Sequence, residues 1–346
     1  MKTTIKDIAR EANVSISTVS FALNGTAPVA EETKKRIMEA VDRLNYVPSS
    51  SARSLVTNKT YSICLHIPNP KSNIFKFMGN TLLNDMLQGI GEVIDEHNYN
   101  LLLSWDHASS SHSKIESLAK SKTVDGFLFF SPSDHIEPIS YLSQNNYPFV
   151  FMGPPINNMT MNTVNVDNFE ISYRNTLHLI QLGHKEIAFI SPGSLDYLLS
   201  EDRYQGYKAA MQDNHIKIDH RYFYIGDTRE ESGYEAMRSF FSLKKPPTAV
   251  ITGRDIQALG VLQYCTEFGL SIPNDLALVS FENSDIAKKH QITSISTELY
   301  QIGKEAARLL LKQIKHNKRN FHPQNIIIPS ELFIRNSCGS TKPLEP

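Results

Sequence analysis

The segment "VSISTVSFALNG", residues 14–25, decides how the chain is read. Val19, Ala22 and Leu23 share one side of a short helix, whereas Ser17, Ser20, Phe21 and Asn24 share the other. Ser15 supplies a capping oxygen at the start and Gly25 a stop at the end. A helix of about two turns is not stable alone, so it needs neighbours to pack against. Yet the stretch holds no lysine or arginine, and an aromatic stands where a charge would suit a polyanion. Two placements of Phe21 follow: outward as an apolar contact, or inward against a third helix.

The neighbours lie on either side. "TTIKDIAREA", residues 3–12, places Ile5, Ile8, Ala9 and Ala12 at helical spacing, and Thr4 with Asp7 forms a capping box. "GTAPVAEETKKRIMEAVDRLNY", residues 25–46, supplies a loop and a third helix. Glu31 and Glu32 occupy its first turn, where the macrodipole favours anions, and Ile37, Ala40, Val41 and Leu44 form its buried stripe. Three short helices with a tight turn between the first two make a helix-turn-helix module over residues 1–47. "PSSSARSL", residues 48–55, is Ser-rich and a poor autonomous helix, but Ala52 and Leu55 share a face. Residues 48–59 therefore read as a linker that folds on docking.

Charge agrees with this division. Residues 1–60 carry 9 Lys and Arg against 6 Asp and Glu, and the remainder 26 against 30, so the basic surplus belongs to the helical module. Three scattered cysteines, Cys64, Cys265 and Cys338, form no disulfide framework and no metal-ligand spacing. The first ten residues lack the apolar run of an export signal, and no stretch is long enough for a membrane span. A cytoplasmic protein without membrane partner or cofactor is expected.

Beyond residue 60 the pattern changes to alternating strands and helices. Apolar runs at "YSICLHI", "YNLLLSW", "VDGFLFF", "PFVFM", "EIAFI", "AVIT" and "LALVSF" are separated by helical stretches such as "LLNDMLQGIGEVIDEH", "NTLHLIQLG" and "DIQALGVLQYCTEFG". This is the pattern of doubly wound parallel α/β sheets, and the length calls for two of them. Each run ends in polar or small residues, among them "PNPKSN", "SPSD", "GRD" and "ENSD". Ligands bind outside the carboxyl ends of strands in such sheets, so these loops are where a site belongs. No phosphate-binding loop, dinucleotide fingerprint, nucleophile elbow or HExxH motif is present, which leaves an enzyme, for instance one processing sugars, without visible chemistry. "SHSK" and "SLAK" lack the companions of a Ser-x-x-Lys site, and His107 with His112 read as solvated residues.

The residues now quoted are specific in combination. "TIKDIAREANVSISTVSFALNG" and "VAEETKKRIMEAVDRLNYVPSSSARSL" resemble the N-terminal module of the LacI/GalR family of bacterial transcription regulators. "EDRYQGYKAAM", "ALGVLQYCTEFGLSIPNDLALVSFENSD" and "ISTELYQIGKEAARLLL" look like that family's sensor core, which is similar to type I periplasmic binding proteins. The resemblance implies a homodimeric repressor that binds a near-palindromic operator in double-stranded DNA and answers to a small effector, most simply a sugar or sugar derivative. A phosphorylated or nucleobase effector is the alternative. It implies base reading by Ile16, Ser17 and Phe21, phosphate contacts from Thr4, Ser15, Thr18, Ser20 and Asn24, and a minor-groove wedge at Leu55 supported by Ala52. Lys6, Lys34, Lys35 and Arg53 would add flanking charge.

In the core it implies effector contacts from Arg203, Asp255 and Glu282. Phe75 and Ser131 join them by position, with Trp105 a weaker aromatic candidate. It further implies a first lobe of about 60–163 and 292–326 and a second of about 164–291 and 327–340. Three departures from the family pattern stand out. Phe21 replaces a common arginine and so trades a bidentate guanine contact for an apolar one. Glu282 replaces a usual aspartate, and Arg254 stands where asparagine is common, recharging the rim of the pocket.

Overall fold

A computed structural model of the chain describes residues 3–25, 27–47, 57, 59–67, 81–105, 111–130, 137–155, 161–315 and 322–340. The first three helices are α1 (Ile5–Glu11), α2 (Ile16–Asn24) and α3 (Glu31–Arg43). Ile8, Ala9, Ala12, Val19, Ile37 and Ala40 form their buried core, with Ala22, Leu23, Val41 and Leu44 packed at its margin. Asp7 accepts from the Thr4 amide and hydroxyl at 3.0 and 2.7 Å, which starts α1. Gly25, at φ +64°, donates to Phe21 O and ends α2. Ala52, Arg53 and Leu55 lie outside the described residues.

The first sheet contains β1 (Ser62–Ile67), β2 (Asn100–Trp105), β3 (Gly126–Phe130), β4 (Phe149–Met152), β5 (Asn162–Asn165) and β11 (Asn325–Ile327), all parallel, in the order β11-β5-β4-β3-β1-β2. The second contains β6 (Ile187–Ser191), β7 (Phe223–Ile225), β8 (Ala249–Thr252), β9 (Ala277–Glu282), β10 (Thr293–Ser296) and an antiparallel edge strand β12 (Leu332–Phe333). Helices cover both faces: α4 (Thr81–Glu96), α5 (Ser111–Lys120) and α6 (Glu137–Gln144) belong to the first sheet. The second carries α7 (Asn168–Gln181), α8 (Leu198–Asp213), α9 (Glu230–Phe241), α10 (Asp255–Phe268) and the short α11 (Asp285–Lys289). Burial on both faces is why the strands read as unbroken apolar runs; Ile63, Leu65 and Ile67 face one cluster and Cys64 another.

The chain crosses between sheets three times: from β5 to α7, from β10 to α12 (Leu299–Lys315), and from β11 to β12. Helix α12 returns to the first sheet, where it packs on α4. The return falls after Ser296 and not at about residue 292, because Thr293–Ser296 pairs with β9. The run "IIIPSELFI" is likewise split, its first half joining the first sheet and its second half the second. Strands β5 and β10 are short and largely polar, "NTVN" and "TSIS", so they carry little apolar signal. They are buried all the same, their side chains being satisfied laterally. Asn162 donates to Gln313 and Thr163 to Asn325.

At the entry to the first sheet, Asp125 fixes the incoming chain. It accepts from the Thr60 amide at 2.7 Å, the Thr60 hydroxyl at 3.0 Å and the Tyr61 amide at 3.0 Å. Tyr61 is held at φ +54°, a conformation a tyrosine adopts only when its surroundings impose it.

Close helix contact around the second sheet depends on Gly260 in α10. A Cβ there would overlap Glu230 O and lie 2.6 Å from Tyr234 N, both backbone atoms of the facing α9. Gly91 in α4 has nothing within 4 Å of the same position. Gly260→Ala is therefore expected to destabilise the fold by about 3 kcal/mol through forced helix separation, and Gly91→Ala to stabilise it by about 0.5 kcal/mol or more. Chemical denaturation of the two variants checks this; equal effects would contradict the packing described.

Candidate DNA interface and effector site

Helix α2 presents the surface that its sequence raised as a question. Ile16 and Phe21 are 46% and 39% exposed, and Phe21 is absent from the buried cluster of the three helices, so the outward placement is the one observed. Ser17 is exposed beside them, and Ser20 and Asn24 are half-buried, with the Asn24 amide donating to Ser20 Oγ at 3.3 Å. Ser15 Oγ accepts from the Thr18 amide at 3.1 Å and lies 2.7 Å from both the Ser17 and the Thr18 hydroxyls. No acidic residue occupies the first turn, so the positive end of the helix dipole is unopposed among these hydroxyls. Such an end attracts phosphate. Lys6, Lys34 and Lys35 are exposed nearby in the module and supply the charge that α2 lacks.

In the core, Arg203, Asp255 and Glu282 come together from three separate elements, at the carboxyl ends of β8 and β9. Arg203 projects from α8 and is 3% exposed. Its Nε donates to Asn168 Oδ1 at 3.0 Å, its Nη1 to Gly253 O at 2.6 Å, and its guanidinium lies 4.3 Å from the Phe281 ring centroid. Burial pulls its pKa down to about 10, so it remains a cation at neutral pH. The next pair along the strand ends is Arg254 and Glu282. Arg254 Nε donates to Glu282 Oε1 at 2.6 Å, and Glu282 Oε2 accepts from the Asp255 amide at 3.3 Å.

Glu282 sits at φ +109° and Asn283 at φ +54°, two consecutive residues in the left-handed region. The surroundings account for it: besides the Glu282 contacts, the Asn283 amide donates to Ser294 Oγ at 2.9 Å and Asn283 Oδ1 accepts from Arg335 Nη2 at 2.5 Å. Strained backbone of this kind costs about 1 to 3 kcal/mol per residue and collects at ligand sites.

Asp255 stands at the start of α10 with its side chain turned into the protein. It is fully buried, and its carboxyl is filled from within: Oδ2 accepts from the Ser284 amide and hydroxyl at 2.8 and 2.7 Å, and Oδ1 from Ser294 Oγ at 2.9 Å. It frames the site from beneath. Asn168, Gly253, Phe281, Ser284 and Ser294 were not legible as site residues, although "VDN" and "ENSD" mark polar strand ends. Phe75 and Ser131 lie outside the described residues. Trp105 closes β2, with Lys114 Nζ 5.4 Å from its ring centroid. Cys64, Cys265 and Cys338 are buried thiols outside any disulfide, and no group of His, Cys, Asp or Glu among the described residues has the arrangement of a metal site.

Burial pushes the Asp255 carboxyl up to about 6, the Glu282 charge adds to this, and the Ser284 hydrogen bonds oppose it. The folded state thus holds this proton more tightly than the unfolded chain does. The stability it contributes is complete below about pH 3.8 and is lost as pH rises through about 6, a change of about 3 kcal/mol. Asp255→Asn should therefore gain about 3 kcal/mol on the unsubstituted protein between about pH 4 and pH 7, measured as the difference between their urea-unfolding free energies. A difference that stays constant over that range contradicts the assignment.

Comparison with known proteins agrees with both halves. Residues 4–49 match the family described as bacterial regulatory proteins, lacI family, and residues 176–338 match the periplasmic binding protein-like domain. The chain is 32% identical over 338 residues to the HTH-type transcriptional repressor PurR of Actinobacillus pleuropneumoniae serotype 3 (strain JL03), covering 96% of this chain and 98% of that one. It is 32% identical over 341 residues to catabolite control protein A of Priestia megaterium, covering 97% and 99%. Among solved structures, the transcriptional regulator CelR in complex with cellobiose superimposes with a TM-score of 0.73 at 26% identity, covering 97% of this chain and 100% of that one. The lac repressor dimer bound to operator and the anti-inducer ONPF gives 0.82 at 22% identity, covering 97% and 99%, a likeness of fold. A helix-turn-helix module and a two-sheet sensor core on one chain, with these full-length relatives, place the protein in the LacI family of bacterial transcriptional regulators.

Proposed function

We propose that the protein is a cytoplasmic, homodimeric repressor whose affinity for a near-palindromic operator is switched by a small effector held between its two lobes. Repression is supported by the full-length relative PurR, which is named a repressor. The exposed apolar pair Ile16 and Phe21 carries the DNA half of the reading. An apolar side chain left outside a well-filled three-helix core, on the same arc as Ser17, fits contact with base edges, the thymine methyl above all. Thr4, Ser15, Thr18, Ser20 and Asn24 hold phosphates and set the register, while Ala52 and Leu55 serve the linker's docking in the minor groove. The module is residues 1–47, the linker 48–59 and the sensor core 60–340.

The effector half rests on Arg203, a buried cation whose Nη2 makes no hydrogen bond among the described residues. A buried guanidinium with spare donors beside a strained strand end is arranged for a ligand. A sugar or sugar derivative is the ligand class we favour, in keeping with the cellobiose complex of CelR. Arg203, Glu282, Phe75 and Ser131 would contact it, and Asp255 would set the positions of Ser284, Ser294 and Glu282.

Two outcomes are expected. Phe21→Arg should change base preference at one symmetric operator position from A·T to G·C, as read by in vitro selection of binding sites with both proteins; identical selected sequences would show that Phe21 does not read bases. A thermal-shift screen of sugars, sugar derivatives and nucleobases should find a compound that raises the melting temperature, and Arg203→Ala should lose that shift. Retention of the full shift by the variant would move the effector site elsewhere.

A further inference from the structure

We infer that the effector carries an anionic group, a phosphate or a carboxylate, bound by the terminal nitrogens of Arg254 and Arg203. The inference rests on the effector reading above and adds the charge of the ligand. It comes from counting which donors and acceptors at the strand ends are already used. Both oxygens of Asp255 are filled by Ser284 and Ser294. Glu282 spends one oxygen on Arg254 Nε and the other on the Asp255 amide. Asn168 Oδ1 and Gly253 O are each taken by Arg203. These acceptors are therefore all engaged by at least one protein donor.

The donors are not. Arg203 has Nη2 to spare, and Arg254 uses only Nε and its backbone amide, which leaves Nη1 and Nη2 without partners among the described residues. The two guanidinium groups are neighbours, since Arg203 Nη1 bonds the carbonyl of Gly253, the residue before Arg254, and stacks on Phe281, the residue before Glu282. Glu282, 7% exposed, grips the Nε edge of Arg254, whose side chain keeps 21% of its surface open. An arginine anchored by Nε with its other edge open is oriented for a two-pronged contact with a carboxylate or phosphate. A neutral sugar hydroxyl answers one of these N–H groups at a time, whereas a carboxylate or phosphate answers several at once and brings the opposite charge. A ligand that only accepts hydrogen bonds satisfies this surface.

The test uses the full-length chain in a thermal-shift titration at constant ionic strength, with chloride as the balancing anion. The probes are inorganic phosphate, then glucose, gluconate and glucose 6-phosphate, and fructose with its phosphate esters. Phosphate should raise the melting temperature in a saturable way, and at least one charged sugar should do so at lower concentration than its neutral parent. Arg254→Gln should raise the half-saturating concentration at least tenfold, whereas Glu282→Gln, which keeps a polar contact at that position and removes its negative charge, should lower it. Because Arg254→Gln leaves Glu282 buried without its ion-pair partner, the double variant Arg254→Gln/Glu282→Gln is measured beside it and should show the same loss. Saturable binding of a neutral sugar, with half-saturation unchanged in the Arg254 variants, overturns the anionic ligand and keeps the effector site. A phosphate response that survives unaltered in those variants, or one no larger than that of chloride, also overturns it. If no compound of either charge stabilises the protein, both the charge and the effector reading fall.

Discussion

A guanidinium group withdrawn almost wholly from water holds the sensor core in its present arrangement. An unpaired charge in such a place costs several kcal/mol, and Arg203 avoids that cost only through partners drawn from different parts of the chain. Asn168 opens α7, directly after the crossing from β5. Gly253 follows β8, and Phe281 precedes the strained end of β9. One cation therefore joins the strand ends of the second sheet to the segment that links the sheets. In the function proposed, a ligand at its spare nitrogen would sit on a residue bonded directly to that crossing.

The other end of the route is as firmly built. Asp125 closes on Thr60 and Tyr61 with three hydrogen bonds, and the left-handed Tyr61 turns the chain into β1. In the function proposed, a linker attached there would start from a point tied to the first sheet by these bonds. Helix α12 strengthens the same body by packing on α4 after the chain has left the second sheet. Movement of the first sheet relative to the second would thus reach the DNA-binding module as a change in where the linker starts.

Much of the fold is legible in the sequence. Helix periodicity and caps located α1 to α3, since the module is a small amphipathic bundle whose buried residues, such as Ile8 with Ala12 and Ile37 with Ala40, lie 3 or 4 positions apart. Seven strands announced themselves as apolar runs. What escaped was polar: β5 and β10 are buried strands rich in Asn, Thr and Ser whose side chains bond to neighbouring segments, Thr163 to Asn325 of β11 and Ser294 to Asp255 of α10. The fate of Asp255 escaped for the same reason, because a sequence shows a carboxylate after a strand but not the two serines that fill it. Ion pairing between Arg254 and Glu282 was equally hidden. Their separation of 28 positions carries no local signal, and only the adjacency of β8 and β9 brings them within 2.6 Å.

In the function proposed, occupancy of the Arg203 site and affinity for DNA are linked through one conformational equilibrium. Linkage makes the effect reciprocal, so the factor by which ligand changes operator affinity must equal the factor by which operator changes ligand affinity. Calorimetric titration of the full-length protein with a stabilising ligand, in the presence and absence of a saturating selected operator, measures this directly. The account predicts equal factors, within about 5- to 150-fold. A ligand affinity indifferent to operator would contradict it.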